Sequence, residues 1–376
     1  MHNVSSSFDS GQFDCMKMYR LYNSYIDKTM GLLGFILNTI CLVVFTRLLK
    51  QPDSNGQMVK CLLLKSAVDA YVMLKIIIFL FFDCSYCDQY KYYATGLFKL
   101  VFLIYLSQVA QFLSIFYELC AVIIRFVSVS QIKMLVSKKL TFKLVTFIIT
   151  MYSLVFYSYK LFENKVTLSV YKNYIKNTSD LVYKLRMTEF GVSDTFLKIE
   201  FLHSLIRDGV LVLIIFLLNC FTLISMRRFL KKKKSILGHD NKTDKSAEIH
   251  LTLMVVFTGF IAILGHGLYF LFYIPALSWF LSECFYPIVN FSYNLSYLVN
   301  FFIYLSFNKM FRKCFLNLFE RQHRETNVAA VWFFFSYTLL KCLIQSWDAS
   351  SKNWSFKHVI KHAKRFIWRL FCMTFS

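Results

Sequence analysis

Charged residues, prolines and enzyme motifs are all scarce in this sequence. Charged residues make up only 17% of 376 residues, with 3 prolines and 11 glycines, too few for long low-complexity linkers. The sequence has no glycine-rich phosphate loop, no His-Glu-x-x-His motif and no Gly-x-Ser-x-Gly motif. Those patterns mark nucleotide-binding enzymes, zinc peptidases and serine hydrolases. We therefore expect a protein that is not an enzyme and has no catalytic metal or organic cofactor.

Hydrophobic residues are abundant instead. They make up 57% of the chain, against about 45–50% in soluble proteins. Seven stretches come close to the roughly 20 apolar residues that a membrane-spanning helix needs. They cover 30–49, 61–82, 96–127, 141–162, 206–229, 249–273 and 286–307. The sequence thus predicts an all-α, multi-pass membrane protein built as a seven-transmembrane helix bundle, with 30–49 kept as a signal anchor.

The basic residues predict its orientation. With the N-terminus outside, the inner connections hold about twice as many lysines and arginines as the outer ones, as the positive-inside rule requires. The glycosylation sequons at Asn3 and Asn177 then face outside. We predict an extracellular N-terminus over 1–29, a transmembrane receptor domain over 30–307 and a cytoplasmic tail over 308–376, in the plasma membrane. The net charge of +22 lies mostly in the inner loops and tail, so we expect membrane lipids as partners rather than nucleic acid.

The last apolar stretch carries polar residues that a lipid-facing helix would not need. Asn300 and Tyr304 are four residues apart and share one helix face, with Asn294 and Ser296 close to it. Polar groups at this depth usually face the helix bundle and are often functional. The motif Asn300-Phe-Phe-Ile-Tyr304, with Phe-Arg seven residues on, resembles the end of the seventh helix of rhodopsin-like (class A) G-protein-coupled receptors. There the motif is Asn-Pro-x-x-Tyr, and a short amphipathic eighth helix follows. The fuller pattern is most similar to peptide receptors of invertebrates.

Other residues fall on the spacing of the same family. Asp69, in LLLKSAVDAYV, matches the aspartate of its second helix, and Asn38 matches the asparagine of its first. Arg125, in AVIIRFVSV, matches the arginine of the Asp-Arg-Tyr motif. Ser114, eleven residues before Arg125, matches a serine that helps to hold a sodium ion.

The resemblance implies two functional groups of residues. The first is a polar core, a candidate Na⁺ site, formed by Asp69, Ser114, Ser296, Asn300 and Asn38. The second is an activation switch that couples to a heterotrimeric G protein, formed by Arg125, Asn300 and Tyr304.

The sequence also departs from the family. Ile124 replaces the acid before Arg125, and Phe301 replaces the proline of the seventh helix. The fourth to sixth spans lack the usual tryptophans and prolines. No cysteine lies within 161–205, so the family's usual disulfide to the second outer loop cannot form. These differences bear on the subfamily and the ligand more than on the fold.

The cysteines that fall outside offer a substitute bridge. Four of them, Cys15, Cys84, Cys87 and Cys284, lie on the oxidising side in this topology. They allow three connectivities, of which we favour Cys84–Cys87 with Cys15–Cys284; a zinc site on the Cys-x-x-Cys pair is the alternative. On the inner side, Cys314 is a candidate for palmitoylation.

The ligand is the least defined part of the prediction. Receptors for biogenic amines carry an aspartate where this sequence has Ser107, so an amine is not expected. Lys75 and His266 join Ser107 as candidate pocket residues, and Lys75 could meet an acidic group of the ligand or pair internally. Acidic outer residues and a mid-length second outer loop suit a peptide. We therefore predict a receptor that transduces an extracellular ligand, a neuropeptide, to a G protein.

Two alternatives remain open. One is a chemosensory receptor for a small molecule. The other, of a different class, is a small membrane transporter or channel, although the spans are continuous and show none of the repeats common in transporters.

Overall fold

A computed structural model describes most of the chain between Tyr19 and Glu325. The described residues are 19, 22–51, 56–82, 92–130, 138–173, 178–237, 242–271, 274 and 285–325. They fall into two units, one ending at Asn308 and the other beginning at Lys309. The predictions for glycosylation and for disulfides lie outside these residues: Asn3, Asn177, Cys15, Cys84, Cys87 and Cys284.

Helices make up most of the described chain. The first four are α1 at Asp27–Leu48, α2 at Gly56–Phe82, α3 at Tyr93–Ser130 and α4 at Lys138–Phe156. The next is α5, which runs through Asp194–Ser204, Leu205–Val210 and Leu211–Leu237. It is followed by α6 at Lys242–Leu271 and by α7, whose two pieces are Tyr286–Leu298 and Asn300–Phe307. Short helical turns at Tyr22–Ile26 and Lys160–Glu163 precede α1 and follow α4.

Five helices among the described residues are long and apolar enough to cross a membrane. They are Asp27–Leu48, Tyr93–Ser130, Phe142–Glu163, Asp194–Phe229 and Ile249–Leu271. The chain is therefore a multi-pass, mainly α-helical membrane protein. The other two predicted spans are helical as well, but α2 contains several ionisable residues and α7 is interrupted at Val299.

The helices of the first unit pack in a closed ring. Along it α1 contacts α2, α2 contacts α3, α3 contacts α5, α5 contacts α6, α6 contacts α7 and α7 returns to α1, while α4 packs outside on α3. Small residues allow the closest approach, as is usual between membrane helices. At Gly31 of α1, an added Cβ would lie only 2.8 Å from Cγ2 of Ile76 on α2.

The outward faces of α4 and α5 are apolar. Large side chains such as Phe147, Val155 and Leu213 are exposed, which would be costly in water over so wide a surface. In a bilayer the same side chains contact lipid, so these faces agree with a membrane environment.

A β-hairpin connects α4 to α5, a feature that the sequence reasoning missed. Strands β1, Asn164–Asn173, and β2, Thr178–Met187, are antiparallel, with Asn164 opposite Met187 and Asn173 opposite Thr178. The hairpin is anchored on the N-terminal end of α3. Val166 fills the space left by Gly96, and the rings of Tyr93 and Tyr183 meet edge to face at 5.7 Å.

The second unit begins with α8, Lys309–Glu325. Its apolar residues Phe311, Cys314, Phe315 and Leu318 recur at the spacing of one helix face, and basic residues occupy much of the rest of the helix. The helix is thus amphipathic.

Candidate functional site: a buried polar core

Asp69 is the centre of a hydrogen-bonded group in the middle of the bundle. Its side chain is 1% exposed. Ser114 Oγ donates to Asp69 Oδ1 at 2.5 Å, and Asn300 Nδ2 donates to Asp69 Oδ2 at 3.1 Å. The structure therefore brings together three residues that the sequence singled out on α2, α3 and α7. A buried carboxylate is costly unless it is paired and hydrogen-bonded, and these contacts meet part of that need.

The positive partner of Asp69 is Lys65, which sequence reasoning missed. Lys65 Nζ lies 2.8 Å from Asp69 Oδ2 and also donates to Ser114 Oγ at 3.3 Å. The two residues are four apart on α2, so they share one helix face. That spacing was the available signal, because a lysine and an aspartate on one face of a membrane helix can neutralise each other.

A second carboxylate lies beside the same lysine. Glu118 of α3 is 1% exposed, and its Oε2 lies 3.9 Å from Lys65 Nζ without a hydrogen-bond partner among the described residues. Its Oε1 accepts a hydrogen bond of 2.7 Å from Thr258 Oγ1 on α6. The core thus links α2, α3 and α6, and it places two carboxylates beside the ammonium of Lys65.

Two predicted members of the core bond elsewhere. Asn38 Nδ2 donates to the carbonyls of Gly34 at 2.9 Å and Tyr297 at 3.1 Å, which ties α1 to α7. Ser296 Oγ donates to the carbonyl of Tyr293 in its own helix at 2.6 Å. It lies against Gly265 of α6, where an added Cβ would come within 2.8 Å of Ser296 Cβ. These residues position the helices around Asp69 rather than contact its carboxylate.

Near the C-terminal end of α3, Arg125 is bonded to a threonine of α6. Its Nε and Nη2 donate to Thr252 Oγ1 at 2.9 and 2.6 Å, and the residue is 3% exposed. Ile124, which precedes it, has no charge to offer. Tyr304 is fully buried on α7, with its ring 5.2 Å from that of Phe45. Arg125 and Thr252 therefore join α3 to α6 at this end of the bundle.

A separate ionic cluster lies closer to the N-terminal end of α3 than the Asp69 core does. Arg207 Nη2 lies 2.6 Å from Asp208 Oδ2, and Nη1 donates to the side-chain oxygens of Gln108 at 2.5 Å and Gln111 at 3.1 Å on α3. His266 Nδ1 of α6 lies 2.8 Å from Asp208 Oδ1. This cluster joins α3, α5 and α6.

The π-helical segment Leu205–Val210 explains how neighbouring residues share this cluster. Consecutive residues of an α-helix do not face the same way, yet Arg207 and Asp208 are both buried, at 3% and 1% exposure. Such local widening of a helix is frequent at functional sites. Neither residue was singled out from the sequence, because the apolar window was read as beginning with a regular helix at 206.

The candidate ligand residues lie in two places. Lys75 Nζ of α2 donates to Ser107 Oγ of α3 at 2.9 Å, so these two are brought together. His266 instead bonds Asp208 in the cluster around Arg207 and meets the ring of Tyr293 edge to face at 4.7 Å. On α8, Cys314 is buried.

Within the described ranges, no group of three or more His, Cys, Asp and Glu side chains could hold a metal ion. No protein-family model matches the chain, and no curated protein sequence matches it.

Proposed function

We propose that the chain is a G-protein-coupled receptor that passes the binding of an extracellular ligand to a heterotrimeric G protein. The observation that carries the proposal is the contact of Asp69 with Ser114 and Asn300. These residues lie on three helices, and the family resemblance assigns all three to one polar core.

The proposal includes seven spans with the N-terminus outside. In it, α2 and α7 cross the membrane despite their polar residues, because those residues face the core and bond each other there. The amphipathic α8 then is the short eighth helix on the inner membrane surface, with the rest of the tail cytoplasmic.

In this proposal, the inner contact between α3 and α6 holds the two helices together in the resting state. Arg125 donates twice to Thr252, and separation of the two helices would break both bonds. The freed guanidinium would then meet the G protein, and Asn300 and Tyr304 on α7 complete the proposed switch.

A peptide is the ligand that suits the outer side best. The hairpin β1–β2 offers backbone edges and exposed side chains, such as those of Leu168, Leu181 and Lys184, over a surface larger than a small molecule needs. An extended peptide can bind such an edge through main-chain hydrogen bonds. Lys75, now bonded to Ser107, is the group that an acidic residue of the peptide would recruit.

Peptide-library screening in cells tests the proposal. Cells that express the chain should show ligand-evoked dissociation of one G-protein class, and Arg125→Ala should abolish that response at equal surface expression. Arg227→Ala, which removes a basic residue from the inner part of α5, is the matched control and should keep the response. A response that survives in Arg125→Ala would contradict the assigned coupling site.

A transporter or channel is the second candidate, and the buried ionisable residues favour it. Lys65, Asp69 and Glu118 lie in the core, and Arg207, Asp208 and His266 lie further out. Such groups within membrane helices often mark ion or proton paths. Ion or proton flux in proteoliposomes, reduced by Glu118→Gln and independent of any G protein, would favour this candidate over the receptor.

A further inference from the structure

Lys65 places a covalently attached positive charge where the family resemblance implies a free cation. The lysine is buried, at 6% exposure. Its Nζ lies 2.8 Å from Asp69 Oδ2, 3.3 Å from Ser114 Oγ and 3.9 Å from Glu118 Oε2. It therefore contacts two of the groups that were expected to bind Na⁺.

The groups around Asp69 do not fit a sodium ion as they are arranged. A hard cation needs oxygen lone pairs directed at it. Here both carboxylate oxygens of Asp69 accept hydrogen bonds, which come from Lys65, Ser114 and Asn300. Asn300 presents its amide nitrogen to the carboxylate, and the oxygen of Ser114 accepts a hydrogen bond from Lys65.

We propose that the Lys65 ammonium takes the place of a sodium ion in this core, as a cation that cannot dissociate. Its stem belongs to α2 and its charge meets Asp69 on α2 and Ser114 and Glu118 on α3. The contact between the two helices therefore does not depend on the ionic composition of the medium. The inference goes beyond the receptor proposal, because it would hold equally in a transporter.

The sodium dependence of thermal stability tests this inference without any ligand or G protein. The purified full chain in detergent is unfolded by heat in sodium chloride and in N-methylglucamine chloride of equal concentration. The wild type should unfold at the same temperature in both salts. Lys65→Met removes the ammonium with little change in side-chain length, so Asp69 and Glu118 should then bind Na⁺. Its unfolding temperature should be a few degrees higher in sodium chloride, as expected for a ligand that binds only the folded state.

Two further variants identify the binding groups. Lys65→Met with Asp69→Asn should lose the sodium effect, because the carboxylate that would hold the ion is gone. Lys60→Met, which removes a different lysine from the same helix, should remain insensitive to sodium. A sodium-specific shift in the wild type that is lost in Asp69→Asn would overturn the proposal. So would a folded Lys65→Met that is insensitive to sodium.

If Lys65→Met does not fold, the double variant Lys65→Met with Asp69→Asn still tests the proposal. Removal of one partner of a buried ion pair is far more damaging than replacement of both. The double variant should then be recovered as folded protein in a larger yield than Lys65→Met alone. An equal loss of both variants would contradict a pairing of Lys65 with Asp69. Because each readout is stability, failure of this inference and failure of the receptor proposal are separate results.

Discussion

At the scale of single residues, the contact between Arg125 and Thr252 is the part of the structure most directly open to test. Hydrogen bonds to a charged group contribute about 1.5–3 kcal/mol. In a two-state receptor, loss of such a contact from the resting state alone would shift the balance of states by about tenfold or more. Thr252→Val keeps the shape of the side chain and removes the hydroxyl. We therefore expect it to raise ligand-free G-protein signalling.

Basal reporter output at matched surface expression measures this effect. Thr252→Ser keeps the Oγ that accepts from Arg125, so it should stay at the wild-type level. Equal basal output from Thr252→Val and the wild type would show that the Arg125 contact does not restrain the resting state.

The imbalance of charge around Lys65 leads to a second prediction for single residues. Two carboxylates, those of Asp69 and Glu118, share this ammonium in a buried site. Glu118→Gln removes one negative charge, and its side-chain carbonyl can still accept from Thr258 Oγ1. We expect an unchanged or raised unfolding temperature. Lys65→Met, which takes the ammonium away from both carboxylates, should instead lose about 3–5 kcal/mol of stability.

Thermal unfolding of both variants in sodium-free buffer provides the comparison. A loss of stability in Glu118→Gln as large as that in Lys65→Met would mean that the Glu118 carboxylate is an essential partner of the lysine.

The residues of the core differ in how far sequence could predict them. The contacts of Asp69 with Ser114 and Asn300 were expected from the resemblance to the receptor family, which assigns these three residues to one polar core. Lys65 was visible at four residues from Asp69, but the direction of a flexible lysine depends on its surroundings. The pairing of Glu118 with Thr258 and of Arg125 with Thr252 depends on how α3 and α6 are set side by side, which no local pattern contains.

At the scale of helices and strands, the close packing of α1 on α2 predicts that two glycines of α1 differ in how well they tolerate replacement by alanine. A Cβ at Gly31 would lie 2.8 Å from Cγ2 and 2.9 Å from Cβ of Ile76, whereas a Cβ at Gly34 would meet Cγ and Sδ of Met73, both at 2.7 Å. Isoleucine is stiff at χ1, but methionine can repack. We expect Gly31→Ala to be destabilised, since overpacking costs about 1–3 kcal/mol.

The matched control is Gly34→Ala. There the gain in helix propensity, about 1 kcal/mol for alanine over glycine, offsets the small movement of Met73. Unfolding temperatures of the two purified variants test the difference. If Gly34→Ala is the less stable variant, the backbones of α1 and α2 approach differently from the structure.

Apolar runs predicted the helices better than they predicted the connections between them. The predicted stretch 30–49 nearly coincides with α1, Asp27–Leu48. The predicted stretch 286–307 begins and ends at the same residues as α7. The N-terminal part of α5 was missed because half of the residues in 194–205 are polar or charged, although Ser193 caps it by accepting from Phe196 N at 3.2 Å. The alternating residues of the hairpin β1–β2 were a strand signal, but a count of apolar residues does not detect half-polar strands in a connection between helices.

At the scale of the whole molecule, the number of spans decides which side each connection faces. Five helices of the described chain are long and apolar enough to cross a membrane. If only those five cross, with the N-terminus outside, α3 begins inside, so the hairpin Asn164–Met187 lies inside and the α5–α6 connection lies outside. If α2 and α7 cross as well, both assignments reverse. The position of the C-terminus is the same in the two cases and cannot distinguish them.

Glycosylation at Asn177 therefore reports the span number, because this sequon lies between β1 and β2. We expect a glycan there, seen as a glycosidase-sensitive shift in mobility that Asn177→Gln removes, since the hairpin is outside when α2 crosses. Ser179→Ala destroys the sequon without changing the asparagine and should remove the same shift. A tag placed at residue 240, between α5 and α6, should be digested by added protease only after the cells are permeabilised. If the tag at 240 is accessible on intact cells and Asn177 is unglycosylated, the charged helix α2 does not cross the membrane. The buried pair of Lys65 and Asp69 would then need another explanation than neutralisation within the bilayer.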